Sequence, residues 1–265
     1  MAAARNNRKR RRNRGRFSFL FQLLCVLALL VALTVGVTVF FRVEGIQVSG
    51  NSRYTEEEIV AVTGIQIGDN LYGMNKYRIY EEVLEKLPYV KGINIRRQLP
   101  STILVTVTEW DAFAQVLPEE GAVEEAARDG WLISVGGKLL ERATEEHHVM
   151  EVSGLAALMP QAGTQLAVAQ EESNELSGLL KLLAALEEKV ENGTVSRIEV
   201  APTWIKMRYL GRYDVKMPLN GDFPYHLDVL AEVVSRTEEK HGPEASGTVD
   251  MTRSDCDAAF SPDEG

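Results

Sequence analysis

Side chains able to do acid–base or metal chemistry are few and poorly grouped in this chain. His147 and His148 form the candidate metal pair among four histidines. Neighbouring residues on a strand point to opposite faces, so both rings would rarely reach one ion. The acidic pairs Glu119–Glu120 and Glu238–Glu239 are typical of solvated surface. We therefore expect no metal site and no cofactor.

The sequence also lacks the short motifs of the common catalytic sites. It contains no Ser-x-x-Lys, so the acyl-transfer chemistry of penicillin-binding proteins has no nucleophile here. Gly-x-Ser-x-Gly, His-Glu-x-x-His and the glycine-rich phosphate-binding patterns are absent as well. We expect a protein that is not an enzyme and that acts through surfaces binding other proteins.

A long apolar run near the N-terminus predicts a membrane anchor. Residues 17–41 carry no charge, and as a helix they would span roughly 37 Å, enough for a hydrocarbon core of roughly 30 Å. Residues 1–16 hold eight cations and no acid, which predicts a basic cytoplasmic tail by the positive-inside rule. The run is too long for a signal peptide and no small-x-small site follows it, so we expect an uncleaved single-pass anchor.

A stripe of small residues lies along this run. Ala28, Ala32 and Gly36 recur at every fourth position. Such a stripe would let a second transmembrane helix approach closely. Alanine and glycine are also simply common in transmembrane helices, so both interpretations stay open.

The chain beyond the apolar run is acidic. The net charge is −9 overall, but from Arg42 onward 21 basic residues stand against 38 acidic ones. Because like charges repel, nucleic acid and anionic wall polymers are poor candidates for the main ligand. Cys25 lies in the apolar run and Cys256 near the end of the chain, so no internal disulfide framework is expected.

Residues 42–114 predict a first outer domain with the order strand, helix, helix, strand, strand. Thr55 is the expected N-cap of the first helix, with Glu58 as its capping-box partner. Asn75 is placed to cap the second helix, which Pro88 ends. In the last strand, 103–108, apolar and polar residues alternate, which is typical of a sheet with one buried face.

This region resembles the POTRA module of the FtsQ/DivIB family of bacterial cell-division proteins. The resemblance rests on VEGIQVSGNSRYTEEEI, TGIQIGDNL and LEKLPYVKGINIRRQLPSTILVTVTEW. In that family a strand ending in Gly-Asn leads to the first helix. The pattern of its closing hairpin is matched here by Pro88, Val90, Arg97, Pro100, Thr102 and Glu109. Family members often carry arginine after that glutamate, where this chain has Trp110. Because this position follows the strand, we expect the difference to change little.

Residues 115–260 predict a second outer domain, followed by a short tail, 261–265. An acidic insert over 118–129 precedes a hairpin over 131–140, and helices are expected over 171–191 and 225–240. A short strand is expected to end at Gly154, and further strands are expected at 195–201, 204–210, 212–219, 248–251 and 258–260. This mixed sheet with two helices is similar to the second domain of FtsQ/DivIB. The fold class is therefore α+β behind one transmembrane helix.

The resemblance implies a non-catalytic scaffold at the division septum of the plasma membrane. Such a protein takes part in septum formation and links early to late division components. Its implied partners are the small bitopic division proteins FtsB (or DivIC) and FtsL, which would add a strand to an exposed sheet edge. By position, the partner strip comprises Ser254, Asp255, Asp257, Ala258, Ala259 and Phe260.

Phe260 is the expected anchor of that strip, because a buried aromatic side chain often dominates such interfaces. The alternative is that Phe260 only closes the core of its own domain. Two other functional classes also stay open. A membrane-anchored extracytoplasmic sensor would need a signalling domain in the cytoplasm. An unrecognised wall enzyme would release wall fragments when the outer part is assayed alone.

Overall fold

The computed structural model describes residues 14–118, 130–144, 149–253 and 258–262. It opens with one long helix, α1 (Arg14–Phe40). Within the described ranges, α1 is the helix long and apolar enough to cross a membrane, and none of its Phe19–Val37 span is buried in the protein. A helix that is apolar on all sides and uncovered is suited to lipid, so the chain fits a single-pass membrane protein.

The first outer domain has the predicted element order. Its elements are β1 (Gly45–Ser49), α2 (Glu56–Thr63), α3 (Lys76–Lys86), β2 (Val90–Gln98) and β3 (Thr102–Glu109). The strands form one sheet of order β1-β3-β2, in which β3 is parallel to β1 and antiparallel to β2. The predicted inward residues Ile103, Val105 and Val107 are buried in its core.

The predicted capping box at the start of α2 forms as expected. The backbone N–H of Glu58 donates to Thr55 Oγ1 at 3.2 Å, and the N–H of Thr55 donates to Glu58 Oε2 at 2.9 Å. The bond from the Thr55 N–H and a second one from the Thr55 hydroxyl, at 3.0 Å, favour the ionised carboxylate and lower the pKa of Glu58. Asn75 caps α3 by accepting from the N–H groups of Tyr77 and Arg78.

The motif residues of the first domain tie the β1–α2 turn to the end of β3. Gly50 has φ +81°, and a Cβ there would lie 2.2 Å from the carbonyl oxygen of Val107, so no other residue fits. Glu109 accepts hydrogen bonds from the backbone N–H groups of Ser52 and Arg53, both at 2.9 Å. The glycine and the glutamate therefore fix opposite ends of one turn.

The second outer domain is built on one large sheet. Its strands are β4 (Ala114–Val116), β5 (Trp131–Ile133), β6 (Leu139–Arg142), β7 (Met150–Ser153), β8 (Val195–Val200), β9 (Trp204–Tyr209), β10 (Tyr213–Pro218), β11 (Gly247–Asp250) and β12 (Ala259–Pro262). The order is β12-β11-β10-β9-β8-β7-β4-β5-β6. Strand β4 was not among the predicted strands.

The two predicted helices of this domain are α4 (Ser173–Lys189) and α5 (Phe223–His241). Both contribute apolar side chains to the same core, among them Leu179, Leu183, Leu227 and Leu230. The strands alternate as a one-sided sheet requires: in β10 Tyr213, Val215 and Met217 are buried while the residues between them are partly exposed. Over β9 and β10 the opposite face carries charged side chains, among them Lys206, Arg208 and Asp214.

Candidate partner-binding edge

Strand β12 is the outermost strand at one side of the nine-stranded sheet. It pairs antiparallel with β11, and Phe260 lies opposite Val249. In the part of the chain that the structure describes, no strand pairs with its other side. Of the predicted strip, Ala259 and Phe260 lie in β12 and Ala258 precedes it, while Ser254, Asp255 and Asp257 lie outside the described residues.

The backbone of Phe260 faces away from the sheet. The N–H groups of Gly247, in β11, and Met251, just after it, donate to the carbonyl oxygens of Arg212 and Lys216, so both positions are bonded towards β10. Because bonding direction alternates along a strand, Thr248 and Asp250 are bonded towards β12. Their register partners are Ser261 and Ala259. The N–H and C=O of Phe260 therefore point outward, where an added strand would pair with them.

The side chain of Phe260 is half-buried against its own domain. Its ring centroid lies 6.4 Å from that of Tyr213 and 6.2 Å from that of His241. A Cβ built on Gly247 would come within 2.7 Å of the Phe260 ring, so glycine is needed for this close approach. Phe260 thus helps close the core of its own domain. A role as partner anchor remains a prediction.

Polar contacts hold the chain on both sides of β11. Arg212 donates to Glu238 at 2.6 Å and to the carbonyl oxygens of Pro243 and Ala245, which fixes the turn entering the strand. After the strand, Asp250 accepts from the hydroxyl and the N–H of Thr252 at 2.6 Å and 2.9 Å. These two hydrogen bonds lower the pKa of Asp250.

The opposite edge of the large sheet is covered. The N–H of Leu139 in β6 donates to Thr164 at 2.8 Å, and the N–H of Gly163 donates back to Leu139 at 2.8 Å. The N–H of Leu166 also donates to Gly137 at 2.8 Å. This segment occupies the outward backbone groups at the start of β6, which an edge strand would otherwise expose, so strand addition is obstructed there.

Strand β6 also joins the two outer domains. Lys138, at its start, is 7% exposed, and its Nζ donates to Leu84 at 3.1 Å and to Val90 at 3.2 Å. Burial lowers the pKa of Lys138. Both accepting carbonyl oxygens belong to the first domain, one in the last turn of α3 and one at the start of β2. A cation at a helix C-terminus also suits the helix dipole.

A carboxylate on the same strand completes the junction. Glu141 accepts from the hydroxyl of Tyr89 and from Arg53 Nη2, both at 2.6 Å. The Arg53 guanidinium also stacks over the Tyr89 ring, 3.9 Å from its centroid. Burial, followed by the bond to Glu141, raises the pKa of Tyr89. Tyr89 is therefore held as a neutral donor between the domains.

Trp110 belongs to this junction. It is partly buried beside a small apolar cluster formed by Tyr89, Leu132 and Leu140. The Lys91 ammonium lies 4.3 Å from the centroid of its ring, a cation–π distance. The departure from the arginine typical of the family therefore falls at a domain contact. Sequence reasoning placed this residue after the strand but did not find the contact.

The remaining predicted sites are the histidine pair and the stripe of small residues in α1. His147 and His148 lie outside the described residues, and among the described ones no group of three or more His, Cys, Asp or Glu side chains could hold a metal ion. In α1, Ala28, Ala32 and Gly36 are exposed, and a Cβ built on Gly36 would meet nothing within 4 Å. Their role in helix packing stays a prediction.

Comparison with known proteins agrees with the fold of the first outer domain. Residues 41–110 match the model of the POTRA domain of FtsQ type. The cell division protein FtsQ of Corynebacterium glutamicum is 34% identical over 134 residues, 49% of this chain and 55% of that protein. The cell division protein DivIB of Geobacillus kaustophilus is 34% identical over 71 residues, 27% of each chain. This chain thus spans about half of the first relative and about a quarter of the second.

Proposed function

We propose that this chain, which belongs to the FtsQ/DivIB family of cell-division proteins, is a non-catalytic scaffold of the division machinery. It would take part in septum formation by binding small bitopic division proteins of the FtsB/DivIC and FtsL type. Through them it would link early to late division components. The open edge of β12, behind an FtsQ-type POTRA domain, is the observation that carries this proposal.

The chemistry of that edge favours a peptide partner in extended conformation. Phe260 offers an outward N–H and C=O. Pro262, the next outward position, has no N–H and offers only its C=O, so a partner strand would pair mainly with Phe260. A partner strand would gain its affinity from main-chain hydrogen bonds, and alternate side chains would give selectivity. The ring of Phe260 is half-buried, and its exposed part would contact such a strand.

The anchor gives the proposed topology. Residues 1–16 carry eight cations, which favours a cytoplasmic N-terminus and outer domains on the far side of the plasma membrane. Both outer domains would then lie where the outer segments of bitopic division proteins also lie. The proposed location is the division septum.

The experiment is imaging of dividing cells that carry a fluorescent protein fused ahead of Met1 in place of the native copy. We expect a band at mid-cell that is lost when residues 42–114 are replaced by an unrelated outer domain. A matched fusion carrying the intact chain with Ser52→Ala, an exposed position in the first domain, should still form the band. A uniform membrane signal and normal division in cells lacking the protein would overturn the proposal and favour an extracytoplasmic sensor.

A further inference from the structure

We propose that the end of the POTRA domain next to α1 binds the lipid surface itself. The surface concerned, called here the membrane-proximal patch, consists of Ile67, Tyr72 and Leu99. Its ligand would be the interfacial layer of the bilayer, with phospholipid headgroups and the adjoining acyl chains. This inference rests on the proposed membrane anchoring of α1 and adds a second, peripheral contact to it.

Hydrogen bonds bring the 66–72 loop to the end of the helix. The N–H of Phe41 still donates to Val37 at 3.2 Å, so helical bonding continues to Phe41. The N–H of Leu71 donates to the carbonyl oxygen of Phe41 at 3.0 Å. Val43 adds two more bonds to the loop: its N–H donates to the carbonyl oxygen of Asp69, and its C=O accepts from the N–H of Gly68, both at 2.8 Å. A helix in the membrane therefore holds this loop at the membrane surface.

The turn between β2 and β3 lies at the same end. The N–H groups of Glu44 and Gly45 both donate to the carbonyl oxygen of Ser101, at 2.8 Å and 3.4 Å. Strands β1 and β3 are parallel, with Gly45 opposite Thr102, so both strands begin here and run away from α1. Leu99, in the turn before β3, therefore shares this end with the 66–72 loop.

The patch exposes apolar side chains where a water-facing turn would carry polar ones. Ile67 is 66% exposed, Leu99 58% and Tyr72 50%. The Tyr72 ring packs edge-on against Phe41 at a centroid distance of 5.4 Å, so the aromatic surface of the helix end continues into the domain. Tyrosine is enriched at the membrane–water interface because its ring is apolar and its hydroxyl is polar.

The depth of the patch follows from the length of the anchor. The apolar span Phe19–Val37 has 19 residues, which corresponds to roughly 28 Å of helix, close to a hydrocarbon core of roughly 30 Å. Phe40 and Phe41 then lie at the boundary of that core. The 66–72 loop is bonded to Phe41 through Leu71, so the patch would lie in the interfacial layer, where apolar side chains are favourably buried.

Arginines border the patch in an otherwise acidic outer region. Arg42 is exposed and forms a β-bridge with Asn70 of the loop. The Arg97 guanidinium donates from Nε to the carbonyl oxygen of Leu71 and lies 5.1 Å from the centroid of the Tyr72 ring. Guanidinium groups bind phosphate oxygens well. The acids nearby are Glu44 and Asp69, and Asp69 is occupied by a hydrogen bond from the N–H of Gln66. The border therefore suits phospholipid headgroups.

The test places a tryptophan reporter in the full chain, reconstituted in liposomes of phosphatidylethanolamine and phosphatidylglycerol. Ile67→Trp and Leu99→Trp are compared with Ser52→Trp, an exposed position beyond the far end of β1. Strand β1 carries the chain roughly 16 Å away from the patch before that position. Leu29→Trp reports on the anchor. Fluorescence of the native Trp110, Trp131 and Trp204 is subtracted using the unchanged chain.

Quenching by lipids brominated along the acyl chain then measures contact with the bilayer. We expect the Ile67→Trp and Leu99→Trp signals to be quenched about twofold or more over Ser52→Trp, mainly by bromine close to the headgroup. If Leu29→Trp is quenched while both patch reporters behave like Ser52→Trp, the lipid contact is wrong and the anchor stands. If Leu29→Trp is not quenched, the membrane anchoring fails and the inference with it.

Discussion

Phe260 of β12 lies edge-on to Tyr213 of β10, with ring centroids 6.4 Å apart and ring planes inclined by 63°. Tyr213 is fully buried, so this contact pins the last strand of the sheet to the core. The backbone of Phe260 points the other way, towards the open edge. One residue thus joins the core to the proposed partner surface.

Replacing Phe260 by alanine should destabilise the protein. We expect Phe260→Ala to lower the free energy of unfolding by about 2 kcal/mol, because a half-buried ring and its contacts with two aromatic rings are lost. Denaturant unfolding of the full chain in detergent measures this. Ser261→Ala, at the exposed neighbouring position, is the control and should leave stability nearly unchanged. Equal stability of both variants would contradict the packing role of Phe260.

The junction between the outer domains should depend on Glu141. Glu141→Ala removes the acceptor of both Tyr89 and Arg53, leaving a partly buried hydroxyl without its partner. We expect a loss of about 1 to 2 kcal/mol and faster cleavage by a protease between the domains. Limited proteolysis followed by mass spectrometry measures the second effect.

The matched control for that prediction is Glu151→Ala. Glu151 pairs with Arg197 at 3.0 Å on the exposed face of the sheet, and such surface pairs contribute about 0 to 1 kcal/mol. Both residues of this pair belong to the second domain, so the pair does not bridge the domains and its loss should not change the cleavage pattern. If Glu141→Ala and Glu151→Ala behave alike, β6 does not hold the domains together.

Lys138 should make the stability of the folded protein increase with pH in the alkaline range. Burial lowers its pKa in the folded protein, so between that pKa and the ordinary lysine value the unfolded chain binds more protons. Stability then rises with pH across this window. We compare the free energy of unfolding of the unchanged chain with that of Lys138→Met. The value for the unchanged chain should rise relative to that of the variant between pH 7 and pH 10, roughly the window below the free-lysine pKa. A constant difference would show that the buried amine does not titrate differently on folding.

The first outer domain was predicted from sequence because its signals are local. Thr55 and Glu58 are three positions apart and form their capping box as predicted. The alternation of Ile103, Val105 and Val107 gives the buried face of β3 directly. A motif glycine, Gly50, marks a turn that only glycine allows. Each of these features is encoded within one element and its immediate neighbours.

The junction and β4 could not be predicted because they depend on distant pairing. The three residues of β4 are a strand only because they lie between β5 and β7. Lys138 and Glu141 find their partners 48 to 88 residues earlier in the chain. Nothing in the local sequence distinguishes these side chains from surface charges. Trp110 was the one visible signal, as a departure from the family pattern at a domain contact.

The most direct test of the partner edge is photocrosslinking in living cells. A benzophenone amino acid at Ser261 would lie about 5 Å from a strand added to β12. The control position is Arg197, an exposed residue. Arg197 lies on β8. The register pairs Ser261 with Thr248, Thr248 with Asp214, Asp214 with Arg208 and Arg208 with Arg197, so both positions lie in one row across the sheet. Four strand spacings, about 19 Å, separate the two positions.

We predict crosslinks to an FtsB/DivIC-type or FtsL-type protein from Ser261 and none from Arg197. That result would locate the partner at the open edge rather than on the charged face of the sheet. Crosslinks of equal yield from both positions, or from Arg197 alone, would contradict strand addition at β12.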